Sequence, residues 1–363
     1  MSAEAALIEA AATALTEGRL VVFPTETVYG IGAHAGLAAA AAALRRVAGE
    51  GAGPIAWHAP NRVVVMEALG DLLPLHRRLL ERLLPGPVTF VVERTAEGMA
   101  RLRDRLGVLA GTIEDGKHVV VRVPEDATAS ELLERAWGMG VAVMAEGVSA
   151  AGMGIGITAP EKAAEAAVVV DGGVTRYRKA STRVWLPIAG GYVVESVGAL
   201  EARVVDRAAE RSILFVCTGN TCRSPMAEAI ARHLAVQRAG PAFPRVRVKS
   251  AGASATPGQP ISRESVRALD ALGVPTADVK GQRSRELTRQ MIAEADEIYA
   301  MTSSHLRAVL EFDRTAGSRA ATLDRGGVDV PDPIGGSQDV YTRTAERLAA
   351  LILSRLDESG VTG

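Results

Sequence analysis

Cysteine is almost absent from this chain, and its scarcity limits the kinds of protein that the sequence can encode. Only two of the 363 residues are cysteines, Cys217 and Cys222. A secreted domain held together by disulfides needs more cysteines, spread more widely along the chain. Two cysteines are also too few for a structural zinc site, and the six histidines show no metal-ligand spacing. A close pair of cysteines, with none elsewhere, points instead to chemistry at one place.

Aromatic residues and long apolar runs are also scarce, and the net charge is close to zero. Aromatics make up 4% of the chain and the formal net charge is −1, so stacking surfaces and bulk attraction for nucleic acid are both lacking. No stretch of about 18 uncharged apolar residues occurs, so we expect no membrane span. The N-terminal segment carries Glu4 and Glu9 and has no basic region, which favours an amphipathic helix ending at Gly18 over a signal peptide. We therefore expect a cytoplasmic protein.

The length indicates more than one hydrophobic core, because 363 residues exceed the size of one ordinary domain. We predict a first domain over residues 1–200 and a second over residues 212–363. Between them, the charged segment EARVVDRAAER at 201–211 is either a linker or a solvated helix that closes the first domain. Both domains mix strand-like and helical segments, so the predicted fold class is α/β.

The second domain begins with a buried strand that runs directly into a short polar loop and then a helix. The strand SILFV at 212–216 is followed by CTGNTCRSP at 217–225 and by the helical sequence MAEAIARHLAVQ. Further strands at 246–250 and 297–301 alternate with helices, and this pattern predicts a doubly wound parallel sheet. In such sheets the functional site lies at the carboxyl ends of the strands, which is where CTGNTCRSP is placed.

The loop CTGNTCRSP has the residue types of an anion-binding site. Gly219 and Asn220 tolerate left-handed backbone angles, so the loop can turn its amides inward at the helix N-terminus. Arg223 adds a planar guanidinium that can bind two phosphate oxygens. This positive field is expected to lower the pKa of Cys217, and Ser224 can donate a hydrogen bond to its sulfur. A thiolate beneath a bound phosphate is a nucleophile that would form a phosphocysteine.

A carboxylic acid is then needed to protonate the leaving group. The segment DVPDPIGG supplies two candidates, Asp329 and Asp332. Asp332 is followed by Pro333, which rigidifies the loop, and then by a pair of glycines after one further residue. The residues by themselves leave both acids open.

Residues 212–357 resemble the low-molecular-weight protein tyrosine phosphatase family. The matching segments are CTGNTCRSPMAE at 217–228, SAG at 250–252, ADEIYAM at 295–301 and DPIGGS at 332–337. The resemblance implies a doubly wound parallel sheet of the phosphotyrosine phosphatase I type, with Cys217 as nucleophile and Arg223 as phosphate clamp. It also favours Asp332, the acid directly before a proline, as general acid. No metal is needed, because loop amides and the guanidinium replace a cation. The phosphate-binding loop comprises Thr218, Gly219, Asn220, Thr221, Cys222 and Ser224.

Two positions bear on the substrate. Many members of this family carry leucine and isoleucine in the loop (CLGNICRSP), whereas this chain has Thr218 and Thr221. The protein-arginine phosphatase branch likewise reads CTGNTCRSP, and there the threonine matching Thr221 favours phosphoarginine, because a hydroxyl can bond a guanidinium or position water. After the acid, Ile334 and two glycines stand where tyrosine-selective members place aromatic residues. We therefore predict phosphoarginine as substrate ahead of phosphotyrosine.

Arsenate reduction is an alternative chemistry on the same fold. It typically needs a further resolving cysteine pair, and this chain has no cysteine beyond Cys222 for that purpose. Cys222 itself either packs in the core or forms a reversible disulfide with Cys217 under oxidants. The sequence leaves both roles of Cys222 open.

Residues 19–200 resemble the YrdC-like family, whose active members make threonylcarbamoyl-adenylate from threonine, bicarbonate and ATP for tRNA modification. The matching segments are PTETVYGIG at 24–32, PIAWHAP at 54–60, LPGPVTF at 84–90, VRVP at 121–124, DGG at 171–173 and STRV at 181–184. The resemblance implies a twisted mixed sheet with helices and a ligand pocket. The pocket residues are Thr25, Thr27, Tyr29, Arg122 and Ser181.

The phosphate-binding elements of the YrdC-like family are missing from this chain. The Lys-x-Arg element is replaced by VAGEGAGP at 47–54, and the Ser-Ala-Asn element by GVS at 147–149. Because the phosphates of ATP need positive charge, we expect the domain to have lost efficient synthesis. ATP with Mg is a cofactor only if the domain is active. Arginines that could replace the missing ligands are Arg45, Arg46 and Arg183.

Three classes of function therefore stay open for the whole chain. The first is a phosphatase with an inert appendage, acting on a phosphorylated protein. The second is a bifunctional enzyme that includes a tRNA-modification synthase. The third is a phosphatase regulated by a first domain that binds a small molecule or, weakly, RNA. His34 and His58 lie close to the predicted pocket and are interpreted, like the other histidines, as loop or surface residues.

Overall fold

The computed structural model describes residues 3–49, 54–147, 164–238 and 246–358. The chain divides into two compact units, Met1–Ala209 and Glu210–Gly363. Among the described residues, no helix has both the length and the apolar character needed to cross a membrane. Each unit is built on its own sheet.

The first unit combines helices with one mixed sheet. Its described helices are α1 (Ala3–Thr16), α2 (Ala38–Ala48), α3 (Arg62–Leu69), α4 (Pro74–Leu83), α5 (Ala96–Leu106), α6 (Ala127–Gly138) and α7 (Ala202–Ala209). Its described strands are β1 (Val21–Phe23), β2 (Gly30–His34), β3 (Ala56–His58), β4 (Val88–Glu93), β5 (His118–Arg122), β6 (Val143–Gly147), β7 (Val168–Val169), β8 (Thr182–Leu186) and β9 (Val193–Ser196). Within the described ranges, the strand order is β7-β1-β2-β6-β3-β5-β4-β8-β9. Antiparallel pairs such as β1–β2 and parallel pairs such as β4–β8 give the mixed sheet that the resemblance implies.

Strand β2 begins inside the segment PTETVYGIG at 24–32, whose sequence has no strand pattern. The last three residues of that segment, 30–32, pair with β1, with Val22 opposite Ile31. Glycines at alternate positions make this strand difficult to predict from sequence, because glycine has a low propensity for strands. Packing nevertheless requires one of them: a Cβ on Gly32 would lie 2.8 Å from the Phe23 ring.

The charged segment 201–211 contains helix α7 and the first residue of the next strand, rather than an extended linker. Val205 and Ala209 are buried in the core of the first unit. The Arg82 guanidinium, on α4, donates to the carbonyl of Ala208 at 2.9 Å. Of the two sequence interpretations, the structure therefore has the helix that closes the first domain, because its apolar stripe faces the core.

The second unit contains a smaller sheet. Its described strands are β10 (Arg211–Cys217), β11 (Val246–Gly252), β12 (Glu297–Ala300) and β13 (Ala320–Thr322). Its described helices are α8 (Arg223–Arg238), α9 (Arg263–Ala271), α10 (Ala277–Lys280), α11 (Arg289–Glu294), α12 (Ser303–Phe312) and α13 (Gln338–Glu358). In the part that the structure describes, the strand order is β11-β10-β12-β13 and every pair is parallel. The chain moves to opposite sides of β10 for β11 and β12, which creates the crevice expected of a doubly wound sheet.

Strand β10 is buried on both faces, which explains its unbroken apolar sequence. Ile213 and Phe215 belong to the core cluster that includes α8 and α13, whereas Leu214 and Val216 belong to the cluster that includes α11 and α12. Alternate side chains of a strand point to opposite faces. The strand is therefore fixed from both sides where it delivers Cys217 to its carboxyl end.

Candidate active site at the Cys217 loop

The loop from Cys217 to Arg223 joins the end of β10 to the start of α8. Asn220 adopts a left-handed backbone conformation with φ 55°, whereas Gly219 does not, so only the Asn220 part of the prediction for these two residues applies. Gly252, at the end of β11, is needed for a different reason. A Cβ on Gly252 would lie 2.4 Å from the Thr218 carbonyl oxygen and 2.9 Å from the Asn220 amide nitrogen. The absence of a side chain lets the loop pack against the neighbouring strand.

The sulfur of Cys217 is buried beneath the loop. Its Sγ lies 2.9 Å from the Ser224 hydroxyl oxygen and accepts the Asn220 amide hydrogen at 3.3 Å. Burial raises the pKa of the Cys217 thiol, whereas the contacts with Ser224, the Asn220 amide and the charge of Arg223 lower it. The sequence predicts a lowered pKa from the positive field alone. In the structure the pKa is raised instead, because the free-energy cost of removing a thiolate from water exceeds the stabilisation that these contacts provide.

Arg223 is held in a fixed plane by three acceptors. Its Nη1 donates to the carbonyl of Val330 at 3.0 Å, and its Nη2 donates to Thr218 Oγ1 at 3.3 Å and to Asp332 Oδ2 at 2.5 Å. Its Nε is buried and has no hydrogen-bond partner among the described residues. A buried N–H without an acceptor is costly, and a phosphate oxygen would satisfy it.

The two candidate acids lie in different surroundings. Asp332 forms an ion pair with Arg223, and its side chain is 39% exposed. Asp329 instead accepts the amide hydrogen of Ser303 at 2.8 Å, at the first turn of α12. The structure therefore brings Asp332 to Arg223 and gives Asp329 a helix-capping contact.

A hydrogen-bonded network that the sequence did not reveal lies under the loop. The Asn220 side-chain amide donates to Ser224 Oγ at 2.9 Å and to Ser250 Oγ at 2.8 Å. Ser250 in turn donates to Glu228 Oε2 at 2.5 Å. The buried Glu228 carboxylate also accepts from Arg285 at 2.9 Å. The motifs CTGNTCRSPMAE and SAG contain most of these residues, but pattern alone does not show that they join.

His305 is a second contact that the sequence interpretation missed. Its Nε2 lies 2.8 Å from Thr218 Oγ1, and its Nδ1 lies 2.8 Å from Thr302 Oγ1. The interpretation of the histidines as loop or surface residues is wrong for His305, and also for His58 and His76, all of which are buried. His305 and His76 contact polar partners on distant segments, Thr218 and Gly191, and such partners cannot be read from local sequence.

The two residues predicted to govern substrate choice differ in exposure. Thr221 is half-buried, and its carbonyl accepts the Ser262 amide hydrogen at 2.9 Å. Ile334 is 69% exposed. Cys222 is buried, with its sulfur 3.6 Å from the hydroxyls of Ser262 and Tyr341. Burial and the contact with Cys222 raise the pKa of Tyr341 to about 12.

The predicted N-terminal pocket residues also come together, around Arg122. The Nη2 of this buried arginine donates to Glu26 at 2.7 Å, Thr27 Oγ1 at 2.6 Å and Thr25 Oγ1 at 3.2 Å. Tyr29 lies apart from this group: its hydroxyl donates toward Asp171 Oδ1 at 2.9 Å and the Gly173 carbonyl at 2.8 Å. Tyr29 therefore fixes the DGG segment.

A cavity of about 290 Å³ lies beside Arg122. Thr25, Tyr29, His58 and Ser181 contribute to its lining, and Ser181 lies 2.6 Å from the Thr89 hydroxyl. Burial and the charge of Arg122 lower the pKa of His58 to about 3, so its imidazole is neutral. The cavity therefore presents hydroxyl groups, a neutral imidazole and a guanidinium to a ligand.

The arginines considered as replacement phosphate ligands are occupied in different ways. Arg45 donates to the Gly111 carbonyl. Arg183 lines the cavity and pairs with Glu195 at 2.6 Å. Arg46 is exposed. Residues 50–53 of the replaced Lys-x-Arg element, and 148–149 of the replaced Ser-Ala-Asn element, lie outside the described residues.

Comparisons with known proteins confirm both family resemblances. Residues 212–357 match the family model for low molecular weight phosphotyrosine protein phosphatases, and residues 13–187 match a model named for Sua5, YciO and YrdC and described as telomere recombination. A protein-arginine-phosphatase of Geobacillus stearothermophilus is 38% identical over 144 residues, which are 39% of this chain and 90% of that protein. A low molecular weight protein-tyrosine-phosphatase PtpB of Staphylococcus haemolyticus is 34% identical over 142 residues, which are 39% of this chain and 94% of that protein. The solved YwlE arginine phosphatase from Geobacillus stearothermophilus is 36% identical, with a TM-score of 0.36, covering 41% of this chain and 92% of that one.

Proposed function

The chain belongs, through residues 212–357, to the low molecular weight phosphotyrosine protein phosphatase family, and we propose that this protein phosphatase hydrolyses phosphoarginine through a phosphocysteine at Cys217. The observation that carries the reaction is the convergence of a buried sulfur and a buried guanidinium on one loop. The loop amides and Arg223 supply the positive charge that a metal supplies in other phosphoryl-transfer enzymes.

The first step is attack of the Cys217 thiolate on phosphorus. An S–P bond forms as the bond from phosphorus to the leaving nitrogen or oxygen breaks, and the bonding electron pair departs with the leaving atom. Asp332, in its acid form, gives that atom a proton. The Ser224 hydroxyl, 2.9 Å from the sulfur, stabilises the thiolate before attack and on its return.

The second step regenerates the enzyme. The Asp332 carboxylate takes a proton from a water molecule, and the water oxygen attacks phosphorus as the S–P bond breaks. The products are inorganic phosphate, the Cys217 thiolate and protonated Asp332. Proton and charge therefore balance over the two steps, and no oxidant or reductant is needed.

The unpaired Nε of Arg223 supports phosphate binding at this position. Two neighbouring guanidinium N–H groups match two oxygens of a phosphoryl group, so Nε would bind one oxygen and Nη2 would bind the other in competition with Asp332. The other nitrogens of Arg223 already bind protein acceptors, so the guanidinium is oriented before substrate arrives. Such preorganisation reduces the entropy that binding must offset.

Thr221 and the exposed segment after Asp332 support phosphoarginine over phosphotyrosine. Thr221 places a hydroxyl in the phosphate-binding loop, where an isoleucine would place only hydrocarbon, and a guanidinium can donate to a hydroxyl. Ile334 is the exposed side chain that follows the acid and its proline, so that segment offers no aromatic ring to stack on a phenol. The protein-arginine-phosphatases among the relatives agree with this substrate.

Turnover of two matched peptides, one with phosphoarginine and one with phosphotyrosine, tests the proposal. The variants are Cys217→Ser and Thr221→Ile in the full chain. We expect phosphoarginine to be the better substrate of the wild type, Cys217→Ser to be inactive, and Thr221→Ile to shift preference towards phosphotyrosine. A wild type that prefers phosphotyrosine would refute the substrate but not the cysteine mechanism. Full activity of Cys217→Ser would refute the mechanism itself.

For the first unit we propose a ligand-binding domain that has lost the phosphate ligands of an active synthase. In support, the guanidinium of Arg45 already donates to a backbone carbonyl and that of Arg183 is paired with Glu195. The competing function is a working synthase that uses ATP with Mg and recruits Arg183, which lines the cavity. Incubating the full chain with ATP, threonine and bicarbonate distinguishes them: sustained pyrophosphate release would establish the synthase, and none is expected.

A further inference from the structure

His305 is a buried histidine that contacts the phosphate-binding loop and takes no part in the two chemical steps above. It lies near the start of α12, and its imidazole connects Thr218, in the loop, to Thr302. Thr302 is the N-cap residue of α12, so its position is fixed by the helix. The imidazole therefore ties a loop hydroxyl to a rigid element of the fold.

The direction of each hydrogen bond in this chain follows from Arg223. A guanidinium can only donate, so Arg223 Nη2 donates to Thr218 Oγ1 at 3.3 Å. Thr218 is then free to give its own hydroxyl hydrogen to Nε2 of His305. That tautomer carries its hydrogen on Nδ1, which donates to Thr302 Oγ1. Every donor in the chain thus has an acceptor.

The electrostatic surroundings keep the imidazole in the form that this direction requires. Burial and the charge of Arg223 lower the pKa of His305 to about 4, against the opposing effect of the carboxylates of Asp332 and Asp329. At neutral pH the ring is therefore uncharged and Nε2 can accept. A charged imidazolium would donate from both nitrogens, so it could not accept the hydroxyl hydrogen of Thr218.

We propose that His305 is a positioning residue that holds the Thr218 hydroxyl in place and thereby fixes the plane of the Arg223 guanidinium. The inference rests on the proposed phosphocysteine reaction, in which Arg223 clamps the phosphoryl group. A leucine at position 218, as in the CLGNICRSP form of the loop, has no hydroxyl for either partner. The His305–Thr218 contact therefore belongs to the threonine form of the loop.

Replacement of His305 is expected to change the kinetics in a different way from replacement of Thr221. Arg223 binds the phosphoryl group, which phosphoarginine and phosphotyrosine share, so loosening the guanidinium weakens both substrates alike. Inorganic phosphate, as a competitive inhibitor, is weakened as well. In the proposed function Thr221 acts on the part in which the substrates differ, so its replacement is expected to change their ratio instead.

The test is a double-mutant cycle in the full chain with His305→Leu, Thr218→Val and the pair together. The inhibition constant of inorganic phosphate is measured against turnover of both peptides. Each single change is expected to raise that constant about tenfold, as for loss of one hydrogen bond to a charged group. The double variant is expected to be no weaker than either single one, because both remove the same support. His305→Gln, whose amide lies near the Nε2 position, is expected to recover part of the loss.

The inference is overturned if His305→Leu folds and its inhibition constant stays within about twofold of the wild type, or if the two losses multiply in the double variant. Should His305→Leu not fold, Thr218→Val decides alone, because Thr218 is exposed, and an unchanged constant there refutes the inference. A matched control is His76→Leu, another buried histidine, bonded to the Gly191 carbonyl in the first unit; an equal rise there also refutes it. A wild type that cleaves neither peptide removes the proposed function as well, whereas normal wild-type turnover with an unchanged His305→Leu removes this inference alone.

Discussion

The carboxylate of Asp332 lies 2.5 Å from Nη2 of Arg223, so the proposed general acid and the proposed phosphate clamp are paired with each other. The Arg223 side chain is buried, whereas solvent reaches Asp332. A bound phosphoryl group would compete for the guanidinium and weaken its hold on the carboxylate. The proposed phosphate clamp and the proposed general acid are therefore linked through this ion pair.

Asp332→Asn tests that assignment through its dependence on the leaving group. We expect turnover of a phosphoarginine peptide to fall by about 10²- to 10⁴-fold, the usual contribution of a general acid. An aryl phosphate with a nitrophenolate leaving group should lose much less, because nitrophenolate departs without a proton. Steady-state kcat/KM values on the two substrates measure the difference, because kcat/KM reports the step in which the leaving group departs and not the later hydrolysis of the phosphocysteine.

Asp329→Asn is the matched control for that experiment. Asp329 accepts the Ser303 amide hydrogen at the start of α12, so its replacement is expected to lower the free energy of unfolding by about 1 kcal/mol and to leave the two kcat/KM values unchanged. Equal losses on both substrates for Asp332→Asn would contradict the acid role. A larger loss for Asp329→Asn would transfer that role to Asp329.

The raised pKa of Cys217 predicts a specific pH dependence. Only the thiolate attacks, so the reactivity of the free enzyme should rise with pH as the thiol deprotonates, and it should be lowest on the acidic side. Ser224 lowers the pKa of this thiol, so Ser224→Ala should move the curve to higher pH by about one unit, the equivalent of one hydrogen bond. Inactivation rates with iodoacetate across pH report the curve directly. A shift to lower pH in Ser224→Ala would contradict the contact.

The buried carboxylate of Glu228 predicts a cost in stability together with a cost in activity. Ser250, Gln282 and Arg285 all donate to its Oε2. Glu228→Gln removes the charge and can set an amide N–H against these donors, so we expect the free energy of unfolding to fall by about 2–4 kcal/mol. Loss of phosphatase turnover with increasing urea measures it.

Arg232→Ala provides the comparison for Glu228→Gln. Arg232 pairs with the same carboxylate, but its side chain is 48% exposed, so solvent screens the pair and the change should cost less than about 1 kcal/mol. Similar urea midpoints for the two variants would show that the Glu228 carboxylate stabilises the domain no more than an exposed ion pair does.

The part of the site that the sequence predicts is the part carried by one continuous segment. Strand β10, the loop and helix α8 follow each other without interruption, so an apolar run followed by a phosphate-loop motif fixes Cys217 and Arg223 relative to each other. The helix–strand alternation likewise predicts the parallel sheet. Local order along the chain is enough for these features, because their geometry depends on neighbours in sequence.

The parts that the sequence does not predict depend on distant segments. Ser250 and Arg285 meet Asn220 only because β11 lies beside β10 and the following chain folds back over it. His305 reaches Thr218 across 87 positions. The raised pKa of Cys217 is missed for the same reason, because burial is produced by the whole fold and opposes the local field.

The buried pair of Arg122 and Glu26 gives the last prediction, which concerns the first unit. Their side chains are 2.7 Å apart and both are almost fully buried. Arg122→Met leaves the Glu26 carboxylate without its partner, so we expect a loss of about 3–5 kcal/mol in the free energy of unfolding. The double variant Arg122→Met with Glu26→Gln should recover part of that loss, because no unpaired charge remains buried.

Tryptophan fluorescence can follow this transition in the full chain. All three tryptophans lie in the first unit, at Trp57, Trp137 and Trp185, so urea unfolding seen by fluorescence reports that unit and not the phosphatase unit. Phosphatase turnover, measured on the same samples, reports the second unit. If Arg122→Met alone is as stable as the double variant, the charge of Glu26 is compensated elsewhere and the buried pair does not organise the pocket. If the double variant is the more stable, the pair is held together by the need to neutralise a buried carboxylate, and Arg122 is tied to Glu26 before any ligand reaches the cavity.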